Sequence, residues 1–394
     1  MAERKGTILR NKYFLYATEF FSGMSVMAIE LGASRLLAPY FSSSQVVWTV
    51  IIGAIMVAMA LGNIWGGKAA DKNPDPGRLY GRLLFAAVWI AAIPFLGKYI
   101  IAGISLGVAA VVKSNFLVWA SLCSCLVLFV FPLMLLGTVT PSLVKYTVDD
   151  LENNGAVVGR LGALNTIGSI IGTFLPTFVT IPAVGTAVTF LIFAGVMALL
   201  AIIYFISARK KAVKCAVTVL LIGVCCFAAS DYSFAFWEDD LVYEDESIYN
   251  YLQVREDDRS VILSTNVLFG VQSIRMKNEE LTGMYYDYAL AAPYMAGIEE
   301  KQDANVLILG LGTGTYATLC DRYFPGIQVE GVEIDQKIAD LSRKYFDLPE
   351  SVSVHVDDGR AFLERAGQYD VIMVGAYQDS TIPFQLSSLE FFSM

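Results

Sequence analysis

Gly310, Gly312 and Gly314 stand at alternate positions in "VLILGLGTGT", directly after a short apolar run and directly before a helix-like stretch. Glycines at that junction allow a tight turn and close approach of the backbone to a ligand at a helix start. Glu333 follows 19 residues after Gly314, at the end of the next apolar run. A carboxylate there can accept hydrogen bonds from ribose hydroxyls. Asp358-Gly359 follows the third such run and places another acid beside the adenine position. This order of elements reads as a nucleoside site. The turn lacks a third glycine spaced for a pyrophosphate, and no basic residue lies nearby, which favours an adenosyl sulfonium over NAD. S-adenosylmethionine or its decarboxylated form is the expected co-substrate, with no permanently bound cofactor and no metal. The single His355 and the six scattered cysteines offer no metal spacing, and the cysteines read as buried thiols without a disulfide framework.

The elements that position these residues follow from pattern. Strands are expected at about 305–309, 328–333, 352–356 and 370–374, alternating with helices at about 314–323, 335–346 and 359–366. That alternation specifies a doubly wound α/β sheet of parallel strands. Upstream, "LVYEDESIYNYLQVRED", "SVILST" and "GVQSIRM" read as antiparallel strands, followed by a helical piece, "GMYYDYALAAPYMAGI".

The first 230 residues are of a different kind. The chain is 56% hydrophobic and 16% charged, against roughly 25% charged in ordinary soluble domains. Residues 1–230 hold 17 Lys and Arg against 8 Asp and Glu, whereas the rest hold 11 against 29. The acidic half disfavours nucleic acid and is compatible with a cationic substrate. Apolar stretches at 13–37, 48–67, 83–105, 116–138, 161–181, 187–207 and 215–231 approach the ~20 residues that a membrane crossing needs. The first reads as an uncleaved span. Lys and Arg cluster at 4–12, 68–82 and 209–214, which places the N-terminus and every second loop in the cytoplasm of a multi-pass cell-membrane protein. Seven crossings would put the C-terminal half outside; a non-crossing 215–231 or a double crossing by 83–112 would keep it inside. Gly62-x-x-x-Gly66 and Gly168-x-x-x-Gly172 allow close helix approach. Glu19 reads as a residue near an interface, and Glu30 with Arg35 as an internal ion pair or a functional pair.

The expected organisation is therefore a transmembrane helical domain over 1–230, a β-hairpin subdomain over 238–278 and a Rossmann-like nucleoside-binding domain over 279–394. The β-hairpin subdomain is the expected surface for a homodimer.

From about residue 241 onward the chain resembles the spermidine synthases, the polyamine aminopropyltransferases. The matching pieces are "ESIYNYLQV", "GVQS", "YYDYALAAPYM", "VLILGLGTGT", "VEGVEID", "DDGRAFL" and "YDVIMVGAY". The whole chain resembles the membrane-fused branch of that family, through "IELGASRLLAPYFSSSQVVW" and "GRLGALNTIGSIIGTFLPTFVTIPAVG". The resemblance implies an S-adenosylmethionine-methyltransferase-like fold and aminopropyl transfer from decarboxylated S-adenosylmethionine to a diamine, putrescine to spermidine. It assigns Gly310, Gly312 and Gly314 to the nucleoside loop, Glu333 to the ribose and Asp358 to the adenine amine. Asn250 falls where the family has a glutamine against the nucleoside; Gln272, Tyr286 and Asp287 match positions lining the polyamine groove.

Departures from the family pattern are concentrated where the proton must go. An alkylammonium has a reference pKa near 10.4, so the attacking amine needs a base, which contributes about 10²–10⁴ in rate. The family's base position is Gly375 here, the motif's second acid is Gln378, and the acid inside the glycine loop is Thr313. Asp379, one residue beyond Gln378, is the nearest substitute and the candidate catalytic residue. The resemblance also implies about three further strands after Met394, without which an inner strand is left unpaired; a truncated sequence, or a sheet finished by another chain, is the expectation. Two other functions fit the residues: a non-catalytic nucleoside or polyamine binder linked to transport through the helices, and an S-adenosylmethionine-dependent methyltransferase.

Overall fold

The computed structural model describes residues 8–42, 44–147, 154–267, 270–278, 281–298, 301, 303–377 and 382–394. The chain divides into two compact units, Met1–Phe234 and Ala235–Met394.

The first unit is helical. Its elements are α1 (Lys12–Phe41), α2 (Gln45–Lys72), α3 (Pro76–Val111), α4 (Phe116–Cys125), α5 (Phe131–Gly137), α6 (Val139–Thr147), α7 (Asn154–Leu175), α8 (Ile181–Ser207) and α9 (Ala212–Ala228). A π-helical turn, Leu126–Val130, joins α4 to α5, and another, Pro176–Thr180, joins α7 to α8. Among the described residues, five helical runs are long and apolar enough to cross a membrane, the last being Gly155–Ser207. That run is broken at Gly185, whose backbone takes φ 78° and ψ 168°, so the stretches expected at 161–181 and 187–207 remain separate segments. The expected seventh stretch is the shorter α9, of 17 residues.

Small residues let the helices meet at backbone distance. A Cβ at Gly168 or Gly172 would lie 2.0 Å from Phe20 O or 2.1 Å from Met24 O; one at Gly62 would lie 2.3 Å from Met134 O. Both small-residue motifs thus pack helix on helix: α7 on α1, and α2 on α5. Glu19 departs from its expected interfacial position. It is fully buried, and its Oε1 accepts hydrogen bonds from Thr140 Oγ1 at 2.6 Å and Asn165 Nδ2 at 3.0 Å. The bundle core thus supplies polar partners to one carboxylate oxygen, while Oε2 is buried with no hydrogen-bond partner among the described residues.

The second unit holds two sheets. β1 (Leu241–Glu246), β2 (Tyr251–Glu256), β3 (Ser260–Ser264) and β4 (Ser273–Met276) form an antiparallel meander in sequence order. α10 (Tyr285–Ala289) and α11 (Ala291–Met295) follow. Then come β5 (Asn305–Leu309), α12 (Thr315–Tyr323), β6 (Gln328–Glu333), α13 (Gln336–Lys344), β7 (Ser353–Val356), α14 (Gly359–Leu363), β8 (Val371–Val374) and α15 (Leu389–Phe392). The second sheet is parallel, in the order β7-β6-β5-β8. β5 is apolar on every residue from Val306 to Leu309 because both its faces are covered. Val306 and Ile308 pack with Tyr316, Leu319 and Phe324, while Leu307 and Leu309 pack with Leu386 and Phe391.

The meander does not form a unit apart from the parallel sheet. Its apolar residues Leu252, Val254, Val261 and Leu263 pack on Ile338, Leu341 and Phe346. Thr315 Oγ1 accepts from Ile274 N and donates to Ile274 O, both at 2.9 Å. A shared core and side-chain-to-backbone hydrogen bonds join the meander to the parallel sheet.

Candidate functional site

The chain runs β5 to β6 to β7 along one direction of the parallel sheet, then returns to place β8 on the other side of β5. Loops leaving neighbouring strands diverge at such a reversal and open a crevice at the carboxyl ends. Here the crevice is a cavity of about 570 Å³, within the range of small-molecule sites. Segments after β5, β6, β7 and β8 all line it.

Gly310 and Gly312 form the floor, with φ of 84° and 59°. Side chains rarely tolerate that backbone. Space forbids them as well: a Cβ at Gly310 would lie 2.5 Å from Ala376 N, and one at Gly312 would lie 2.5 Å from Ser273 Oγ. The turn frees a backbone donor: Gly312 N–H points at Glu333 Oε2, 2.8 Å away. Glu333 Oε1 accepts from Asp335 N at 3.1 Å. Burial pushes the Glu333 carboxyl up to about 7; the two backbone N–H groups pull it down, and the neighbouring Asp335 charge adds to the rise.

Asp335 fastens the meander to this edge. It is buried, accepts from Lys337 N at 3.1 Å as the cap of α13, and takes a hydrogen bond from Ser247 Oγ. Ser247 Oγ in turn accepts from Asn250 N at 2.9 Å and Tyr249 N at 3.1 Å. The β1–β2 turn is thereby held so that Tyr249 and Asn250 line the cavity. Lys337 Nζ closes the same junction, donating to Asp245 Oδ2 and Glu246 O, both at 2.7 Å. On the far side, Asp358 Oδ1 accepts from Arg360 N and Ala361 N at 3.0 Å, capping α14. Asp357 stands beside it, ion-paired with Arg365.

The cavity brings together Gly310, Gly312, Glu333, Asp358, Gly359, Asn250 and Gln272, as well as Gly375. Three expected site residues do not line it. Gly314 caps α12 in the left-handed region, against Leu348. Tyr286 is buried, its hydroxyl donating to Gln272 O at 2.7 Å, so it holds the backbone of a lining residue rather than facing the cavity. The Asp287 carboxylate is used locally, accepting from Thr282 Oγ1 at 2.7 Å and Gly283 N at 2.7 Å. Thr313 is also turned away, into a small separate hollow beside Arg275 and Thr318. Asp379 and Gln378 lie outside the described residues.

Sequence reading missed the apolar walls, Tyr249, Ile334, Tyr377 and Phe384, and the carboxylate Asp357. Position alone could have found Ile334, which directly follows β6, and Tyr377, three residues beyond the end of β8. Phe384 could not be found that way, because it reaches the cavity only through the fold of the final segment. Among the described residues the lining carries three carboxylates, Glu333, Asp357 and Asp358, and no Lys, Arg or His.

Comparison with known proteins bears on the same region. The family described as "Spermine/spermidine synthase domain" matches residues 289–393. A "Probable polyamine aminopropyl transferase" of Bifidobacterium longum (strain NCC 2705) is 55% identical over 195 residues, covering 49% of this chain and 43% of the relative. A "Polyamine aminopropyltransferase" of Vibrio vulnificus (strain CMCP6) is 28% identical over 182 residues, covering 44% of this chain and 60% of the relative. A crystal structure of a probable spermidine synthase from Corynebacterium glutamicum ATCC 13032 is 25% identical, with a TM-score of 0.34, covering 38% of this chain and 57% of that one. The chain thus spans about half the length of the curated relatives it matches. The matched residues 289–393, which carry the glycine turn, Glu333 and Asp358, are similar to the spermine/spermidine synthase domain.

Proposed function

We propose that this protein transfers an aminopropyl group from decarboxylated S-adenosylmethionine to a diamine such as putrescine. The observation that carries this reading is the sign of the cavity: three carboxylates and no cation among its described lining residues. A sulfonium donor and an amine acceptor are both cationic in solution, whereas a pyrophosphate cofactor would be repelled. Glu333 takes the ribose hydroxyls, Asp358 the adenine amine, and the amides of Asn250 and Gln272 orient the two substrates.

In the reaction the amine lone pair attacks the aminopropyl carbon bonded to S⁺. A C–N bond forms, the C–S bond breaks, and its electron pair stays on sulfur as methylthioadenosine. The amine must also lose a proton. Position 375 offers no carboxylate for it, so Asp379 takes that role in this reading, and the rate falls below that of a site with its base in place. Insertion of the helical unit in a membrane and a homodimer through the meander belong to the same proposal.

The test is direct. Full-length protein incubated with decarboxylated S-adenosylmethionine and putrescine should release methylthioadenosine and spermidine. Tight nucleoside binding with no turnover on any di- or triamine would reject catalysis. Gly375 favours one second reading, a domain that binds the same ligands without transferring the group; that outcome would identify it.

A further inference from the structure

The expected basic clusters at 68–82 and 209–214 meet in space. The end of α2, the start of α3 and the start of α9 enclose a cavity of about 860 Å³, lined by Lys68, Lys72, Arg78, Arg82, Lys211 and Lys214. Among the described residues no carboxylate lines it. The nearest acids are engaged elsewhere: Asp71 pairs with Lys145 at 2.8 Å, and Asp75 Oδ1 accepts from Gly77 N at 2.8 Å.

This arrangement is unfavourable for the protein alone. Lys68 and Lys72 lie one turn apart on α2, as do Arg78 and Arg82 on α3, and like charges at that spacing repel. The Arg82 guanidinium sits 5.1 Å from the centre of the Trp65 ring, and its buried Nη1 has no hydrogen-bond partner among the described residues. Lys211 Nζ donates to Gly77 O at 2.9 Å, which ties the start of α9 to α3. The same cavity carries an apolar wall: Trp65, Phe85, Phe131 and Leu135. Trp65, Phe85 and Phe131 are exposed.

We infer that this cavity binds a phosphorylated amphiphile, the cations holding its phosphoryl group and the aromatic wall its apolar part. A dianionic or monoanionic phosphoryl head relieves the repulsion among six cations and satisfies the buried Arg82 donor, and a guanidinium matches phosphate oxygens in geometry as well as charge. Two sources carry this chemistry, a phospholipid headgroup and a free phosphorylated metabolite; basic pockets between helices serve the first where the bundle lies in a membrane. The site is separate from the acidic cavity and does not depend on aminopropyl transfer.

Full-length protein in a neutral detergent is titrated with phosphatidylglycerol, phosphatidylcholine and glycerol phosphate, with binding read from tryptophan fluorescence and from the melting shift. Phosphatidylglycerol should bind at least about tenfold more tightly than phosphatidylcholine, whose choline cation offsets its phosphoryl charge, since each protein cation near a net-anionic headgroup adds roughly a factor of five. Lys68→Gln, Arg78→Gln and Lys214→Gln combined should abolish that preference, whereas Lys145→Gln, outside the cavity, should keep it. If the triple variant fails to fold, Lys68→Gln and Lys214→Gln singly, both at exposed positions, should each weaken binding about fivefold. Competition by glycerol phosphate would identify a soluble ligand, and its failure to compete a lipid; both support the site. Equal binding of the two lipids with none of glycerol phosphate, or wild-type affinity in the charge-removed variants, overturns it.

Discussion

Gly312 N–H and Glu333 Oε2 lie 2.8 Å apart, so a glycine in the left-handed region on one strand-end loop holds a buried carboxylate at the end of the next strand. The hydrogen bond spans the crevice floor and fixes the carboxylate before any ligand arrives.

That carboxylate gives the second unit a pH dependence. Its folded value is raised to about 7 from 4.5, chiefly by burial, so the fold favours the protonated form. The stabilisation is complete below the unfolded value and is lost as pH rises through about 7. Hydrogen exchange at β5 and β6 should show falling protection between about pH 5 and pH 8 relative to Glu333→Gln, which lacks the titration. Identical profiles for the two proteins would refute the assignment. Adenosine binding should follow the opposite trend and tighten with rising pH, because ribose hydroxyls donate to the ionised form.

Gly310→Ala meets both a positive φ and a backbone nitrogen 2.5 Å from the new Cβ. Strain of this kind costs about 1–3 kcal/mol. The variant should unfold at lower denaturant and lose nucleoside binding. Gly326→Ala has a similar φ but open space around it, so it should cost less and leave binding intact. Equal losses in the two would show that the close approach to Ala376 is unimportant.

Gly375 offers room for a carboxylate at the position proposed for the base. A Cβ there would meet only Gly310 O, at 3.3 Å, a contact that a small shift relieves. Gly375→Asp should raise aminopropyl transfer by about 10²–10⁴, measured as methylthioadenosine released per minute. No gain, with nucleoside binding preserved, would place the base elsewhere.

Ser247→Ala tests the junction between meander and parallel sheet. It removes the hydroxyl that donates to buried Asp335 and accepts from Asn250 N. Leaving such groups without partners costs about 1–3 kcal/mol. Binding should weaken through misplaced Tyr249 and Asn250, and Ser247→Thr should restore part of it. A variant as stable and as tight-binding as the parent would dismiss the junction.

Much of this protein was legible as pattern. Hydrophobic length located the helical runs, because a buried helix satisfies its own backbone and needs only an apolar surface. The break at Gly185 was foreshadowed by the gap between two apolar stretches. β5 announced itself as a continuous apolar run, and the glycines and Glu333 at adjoining strand ends were enough to locate the crevice. Those signals are local: each depends on a residue and its near neighbours.

What the sequence could not determine was where side chains of matched type would point. Tyr286 and Asp287 have the chemistry of an amine groove, yet one supports Gln272 from below and the other closes its own turn. Glu19 reads as an interfacial acid but is held inside the bundle by Thr140 and Asn165, far along the chain. Six cations from three separated segments became one cavity only when α2, α3 and α9 packed together. Such placements depend on contacts across many residues, where packing and the need to satisfy each buried polar group choose among orientations that local sequence leaves equal.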